Sequence, residues 1–227
     1  MSCILNIETS TSVCSVALSM DGEVLFAKAS FDGPSHAALL GVFVEEALSV
    51  LKKKGKKALD AVAVSSGPGS YTGLRIGVSV AKGLCFGFGI PLIGIHTLDI
   101  MAATVNSKGD SQIVSMTDNC LYCAMLDARR MDVYAAIYDA SLKPVRETKA
   151  DIVEAGTYAS YLEKGKVCFF GNGASKCKSV ITSPNAIFIE DIHPLAVNMI
   201  PLSEQAFAAG KFRTVLPERV PGDGCKK

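Results

Sequence analysis

The stretch SSGPGSYTGLRIG, residues 65–77, has the residue types of an anion-binding loop: glycines, hydroxyls and a basic side chain around a helix start. A nucleoside-triphosphate loop needs four residues between its glycines and a Lys-Ser or Lys-Thr after them. Here the glycines are Gly67, Gly69 and Gly73, no pair has that spacing, and the basic residue is Arg75. The dinucleotide pattern G-x-G-x-x-G fails as well, with Tyr71 and Thr72 standing where glycines should cluster. What survives is the general ability of backbone N–H groups at a helix start to hold an anion. Arg75, in the first helical turn, opposes the helix dipole by about 0.3–1 kcal/mol. It is therefore expected to meet a carboxylate or phosphate, within this chain or on a partner.

Other reactive side chains form no familiar constellation. Glu8 and Asp127 end predicted strands, where phosphate or magnesium chemistry is often placed. The turn after Glu8 is Thr9-Ser10-Thr11-Ser12, without the glycine a phosphate turn uses. Glu8, Thr9, Ser10 and Thr11 thus read either as a hydroxyl-capped strand end or as a weak nucleotide or anion site. His36, His96 and His193 are too far apart for a local metal motif, and neither H-E-x-x-H nor G-x-S-x-G is present. No catalytic residue and no metal-ligand set is assigned. Eight cysteines (Cys3, Cys14, Cys85, Cys120, Cys123, Cys168, Cys177 and Cys225) read as reduced thiols of a cytoplasmic protein. Cys120 and Cys123 have C-x-x-C spacing, but on a strand their odd separation points them to opposite faces. The lysine run KKKGKK sits at a helix C-terminus, where cations are favoured. It reads as a solvated helix end, with RNA contact as the alternative.

The elements that must position these residues follow from periodicity. The 227 residues are 49% hydrophobic and 20% charged, a globular profile, and the net charge of +1 gives no electrostatic signature of a nucleic-acid binder. No basic n-region precedes an apolar run, and no stretch reaches the length of a membrane span. Strands are predicted over 3–8, 13–19, 24–30, 59–66 and 91–95, and helices over 36–54, 72–88 and 97–105. The segment NSKGDSQ reads as a domain boundary. The second half opens as the first does, with a strand ending in an acid, LYCAMLD, then a turn and the strand VYAAIYD, which suggests an internal duplication. Strands near 145–149, 167–171 and 185–189 follow, with helices within 152–164, after GNGAS, and over 194–210, the last interrupted by Pro201. This alternation implies an α/β chain of two ribonuclease-H-like subdomains, the actin/hexokinase-type (ASKHA) architecture, each a mixed sheet covered by helices. The subdomains are expected over 1–106 and 107–212, with 213–227 as a loose tail.

Two helices carry more apolar surface than one core contact uses. Between Ala37 and Leu51 the only non-apolar residues are Gly41, Glu45, Glu46 and Ser49. The helix after the loop carries Gly73, Gly77, Gly83 and Gly87, with Ala81 four residues beyond Gly77. Each interior glycine costs about 0.5–1 kcal/mol against alanine, so close backbone approach must offset it. That approach is either packing inside its own domain or a seam between subunits.

The hairpin NIETSTSVCSVALSMDG, the loop GPGSYTGLRIG and the segment LDARRMDVYAAIYD together resemble the bacterial TsaB (YeaZ) family over residues 3–212. The resemblance implies two actin-like subdomains and a part in making N6-threonylcarbamoyladenosine at position 37 of tRNAs that read ANN codons. It implies a non-catalytic scaffold that binds the related transferase TsaD, with TsaE joining. Self-pairing would use the same surface, and tRNA would be met through the complex. It implies no tightly bound cofactor, with ATP/ADP and metal on the partner subunits. The family's pairing surface maps onto His36, Leu39, Leu40, Phe43 and Ala47 of the first helix. On the second it maps onto Tyr71, Thr72, Gly73, Arg75, Ile76, Gly77, Val80, Ala81 and Leu84. The tail VLPERVPGDGCKK lacks the tyrosine usual in the family. An independent enzyme of this fold, a glycoprotease-like peptidase or an ATP-dependent kinase, is the alternative.

Overall fold

The first strands are continuous apolar runs, so they are buried on both faces. A computed structural model describes residues 2–33, 36–55, 58–107 and 120–215. Pro34 and Ser35, whose pairing is a sequence signal for the start of the helix predicted over 36–54, Lys56 and Lys57, most of the predicted boundary at 106–112 and the tail beyond 215 lie outside the described residues. Strands β1 (Cys3–Glu8), β2 (Cys14–Met20), β3 (Glu23–Ser30), β4 (Ala61–Ser65) and β5 (Leu92–Ile95) form one sheet, ordered β3-β2-β1-β4-β5. β1 pairs antiparallel with β2 and parallel with β4, which puts Ile7 beside Val64 and ends both strands together at Glu8 and Ser65. Helices α1 (His36–Lys53) and α2 (Tyr71–Phe88) cover one face. Leu40, Phe43, Ala47 and Leu51 of α1 and Ala81 and Cys85 of α2 bury there against Cys3, Leu5, Ile7 and Val64.

A second sheet repeats the plan, as the duplicated opening suggested. Strands β6 (Leu121–Asp127), β7 (Asp132–Tyr138), β8 (Pro144–Ile152), β9 (Val167–Phe170) and β10 (Ala186–Ile189) are ordered β10-β9-β6-β7-β8. The pairings are again antiparallel for β6–β7 and β7–β8 and parallel for β6–β9 and β9–β10. β8 runs to Ile152, further than the expected 145–149, so the helix expected within 152–164 shrinks to one turn, α4 (Ala159–Leu162). The helix after GNGAS is likewise one turn, α5 (Ala174–Cys177).

The subdomain boundaries need correction. Helix α6 (Ala196–Ala208), expected in the second unit, returns to the far face of the first sheet. Met199 joins Ile4, Ala63 and Ile93, while Ala196 and Ile200 pack on Ala17. Ser15 Oγ of β2 accepts from Ala196 N at 2.9 Å, and Glu204 accepts from Ser2, Ser19 and Gly22. These polar ties explain why the chain crosses back. Residues 213–215 are not loose either: Arg213 N donates to Leu92 O at 2.8 Å and Val215 packs on the first core. Helix α3 (Thr97–Ser107) lies between the sheets, with Leu98, Met101 and Val105 on the second and Ile100 on the first. Tyr138 Oη donates to Asp99 Oδ1 at 2.6 Å across this junction.

Candidate functional site

The loop 66–70 is shaped by the turn that follows β1. Gly67 and Gly69 take φ of 97° and 155°, and a Cβ at Gly69 would stand 2.3 Å from Ser10 O. Ser70 N donates to Ser10 O at 2.7 Å, and Ser70 Oγ caps α2 by accepting from Gly73 N at 3.2 Å. Thr9 Oγ1 donates to Gly73 O at 2.9 Å. The Ser70 N–H, at the start of α2, is thus spent on the chain's own Ser10 carbonyl, and that of Gly73 on the Ser70 cap.

That turn is closed inward. Glu8, Thr9 and Ser10 are buried. Ser10 N donates to Glu8 Oε1, while Glu8 Oε2 and Ser10 Oγ have no partner. Burial pushes the Glu8 carboxyl up to about 7, against the pull of the Ser10 amide and nearby hydroxyls. Thr11 O bonds His36 Nε2 at 2.7 Å, anchoring the start of α1 to the turn. Beside it, a cleft of about 510 Å³ separates Thr11, Gly69 and Tyr71 from Asp127, Arg129 and Asn172 of the second subdomain. Asp127, the counterpart of Glu8, is solvated and paired with Lys176. Burial alone would raise its pKa, but the Lys176 ammonium and Arg129 N–H hold it below the usual range.

Helices α1 and α2 divide the expected interface residues in two. His36, Leu40, Phe43 and Ala47 are buried, as are Gly73, Gly77 and Ala81. This corrects their placement at a partner surface. The four-residue glycine spacing serves close packing inside the domain: a Cβ at Gly73 would stand 2.1 Å from Thr9 O, and one at Gly77 2.3 Å from Thr9 Oγ1. Leu39, Ile76, Val80 and Leu84 are half-buried at the flanks, and Tyr71, Thr72 and Arg75 face outward. Arg75 finds no carboxylate among the described residues; its guanidinium lies over the Tyr71 ring, 5.3 Å from the centroid.

Sequence reasoning named Tyr71 among the outward residues but missed Val42, Phe86 and Phe88. Phe86 is 69% exposed, Phe88 49%, Val42 47% and Tyr71 75%. Gly41, Gly83 and Gly87 have nothing within 4 Å of where a Cβ would stand, so no internal contact explains them. The signal that could have found Phe86 was helical phase: it stands opposite the buried Gly73, Gly77, Ala81 and Cys85 stripe.

The chain has clear relatives. The family model described as TsaD, tRNA N6-adenosine threonylcarbamoyltransferase, matches residues 32–183. The chain is 31% identical over 219 residues to the Escherichia coli (strain K12) protein named tRNA threonylcarbamoyladenosine biosynthesis protein TsaB, covering 92% of this chain and 88% of that one. It is 28% identical over 181 residues to the protein of the same name from Bacillus subtilis (strain 168), covering 78% and 74%. Among solved structures, YeaZ from Pseudomonas aeruginosa superposes with a TM-score of 0.76 at 25% identity, covering 95% of this chain and 96% of that one.

Proposed function

The chain belongs to the TsaB family, and from that premise we propose that it is a non-catalytic subunit for tRNA threonylcarbamoylation, pairing with the transferase TsaD through the outward face of α1 and α2. The observation that carries this reading is the face itself. Val42 lies open beside Gly41, and Phe86 beside Gly83 and Gly87, glycines with no internal neighbour, while Tyr71 is open at the start of α2. An exposed apolar patch with thin helix backbone suits close approach by helices of a second body. Two helices from each partner would bury it in a four-helix seam. Self-pairing through the same face, and recruitment of TsaE to the pair, belong to the same proposal. In this reading nucleotide and metal are held on the partner subunits, tRNA is met through the complex, and the assembly works in the cytoplasm.

The dispersed histidines support the non-catalytic part. His36 is fixed on Thr11 O, His96 precedes α3, and His193 packs edge-to-face with Phe31. Among the described residues no three His, Cys, Asp or Glu side chains cluster as metal ligands. The described helices include none long and apolar enough to cross a membrane.

The test is reconstitution of tRNA threonylcarbamoylation with threonylcarbamoyl-adenylate as donor. The full chain should modify nothing alone and should raise the rate of its TsaD partner. Transfer catalysed by this chain alone would sink the proposal.

A further inference from the structure

Two cysteines distant in sequence meet in the second subdomain. β6 and β9 are parallel neighbours with Tyr122 opposite Cys168. Cys120, two residues before Tyr122, therefore shares the side of the sheet on which Cys168 lies. Their sulfurs stand 2.8 Å apart, and both side chains are buried. With the Cys168 thiol as donor, Cys120 is shifted toward thiolate, and the Lys166 ammonium adds to the shift while burial opposes it. Cys168, which keeps the shared proton, is pushed up. Burial pushes Cys14 and Cys85 the other way, up to about 11. A resolving thiol in contact and a nearby cation favour the thiolate that oxidants attack, and because both sulfurs are buried a small hydroperoxide reaches them as the start of β6 opens.

We propose that Cys120 and Cys168 are a reversible disulfide site, oxidised by hydroperoxides, that staples the start of β6 to β9. The Cys120 thiolate attacks the protonated oxygen of the hydroperoxide, the O–O bond breaks, and hydroxide or an alkoxide leaves and takes a proton from water, giving a sulfenic acid at Cys120. The Cys168 sulfur then attacks that sulfur. The S–S bond forms as the S–O bond breaks, and water leaves with the Cys168 proton. Two electrons pass from the thiol pair to the peroxide. A small thiol reverses the bond by exchange. The bond closes a loop between residues 48 apart, at the point where the chain first joins the second sheet. Constraining the unfolded chain over such a loop should raise the melting temperature by about 5–10 °C.

The experiment treats the reduced full-length chain with hydrogen peroxide, blocks remaining thiols with iodoacetamide and maps disulfide peptides by mass spectrometry. The expected result is a Cys120–Cys168 peptide formed ahead of any other pair, reversed by dithiothreitol, with the melting temperature raised. Cys168→Ser, which keeps a donor beside Cys120 but cannot resolve, should leave Cys120 as a sulfenic acid that dimedone labels, Cys168→Ala should do so more slowly, and Cys123→Ala should change nothing in the product. Pairing of other cysteines first, oxidation without any rise in melting temperature, or no dimedone adduct in either Cys168 variant despite native folding would overturn the proposal.

Discussion

Gly77 lies directly on Thr9. A Cβ at Gly77 would stand 2.3 Å from Thr9 Oγ1, the atom that donates to Gly73 O one turn earlier on α2. The turn that ends β1 thus rests in a groove cut along α2 by missing side chains.

Gly77→Ala should therefore destabilise the chain, although alanine is the better helix former. The added methyl displaces a buried, β-branched side chain and breaks its hydrogen bond, a loss of about 2–4 kcal/mol. Gly83→Ala is the internal contrast, because Gly83 has no neighbour within 4 Å. It should gain about 0.5–1 kcal/mol from helix propensity alone. Urea midpoints of the two variants should move in opposite directions.

The outward face should separate pairing from folding. Phe86→Glu and Arg75→Glu change side chains that touch little of their own domain, so unfolding free energy should stay within about 0.5 kcal/mol of the parent. Sedimentation velocity at micromolar concentration should show loss of self-association and of TsaD binding. Leu40→Glu, by contrast, puts a carboxylate into a core position that is 1% exposed and should unfold the chain. Unchanged sedimentation of the Phe86 variant would remove α2 from the interface.

How much of this was legible beforehand depended on whether the signal was local. Strand and helix identities followed from runs such as CILNIE and the spacing along α1, and the doubled sheet followed from the repeated acid-ended hairpin. Spacing alone could place Gly73 and Gly77 on one stripe but could not say which body that stripe met. That depended on the position of Thr9, sixty-four residues away from Gly73. The return of α6 to the first sheet was hidden for the same reason, since Met199 and Ile4 meet only in three dimensions. The C-x-x-C spacing drew attention to Cys123, whereas the cysteine that Cys120 touches lies on another strand.

In the second subdomain, Asp151 holds β8 to its surroundings. It accepts from Arg146 Nη2 at 2.5 Å and from Tyr158 Oη at 2.7 Å, and Arg146 Nη2 also donates to Ala135 O. The pair is mostly buried, with side chains 15% and 12% exposed. Asp151→Asn leaves the guanidinium without its counter-charge and should lower stability by about 2–4 kcal/mol. Hydrogen exchange should show the loss first as faster opening of β7 and β8. Uniform protection in those strands would mean the ion pair is replaceable.

Glu8 sets a pH dependence of the opposite sign to an ordinary paired carboxylate. Burial raises its folded-state pKa from 4.5 to about 7, so the native chain keeps a proton that the unfolded chain has released. Between those values the unfolded state binds fewer protons, and stability falls as pH rises. The contribution is fully present below about pH 4.5 and is lost by about pH 7, a span worth about 3 kcal/mol. Protonation at Oε2, the oxygen without a partner, would let the carboxyl donate to an adjacent hydroxyl. Glu8→Gln keeps an acceptor for Ser10 N and removes the titration. The variant should therefore match the parent near pH 4.5 and exceed it in stability above pH 7. Urea unfolding of both proteins from pH 4.5 to 8 gives the difference directly. A flat difference across that window would show that Glu8 keeps its charge inside the fold, stabilised by the Ser10 amide and the hydroxyls around it.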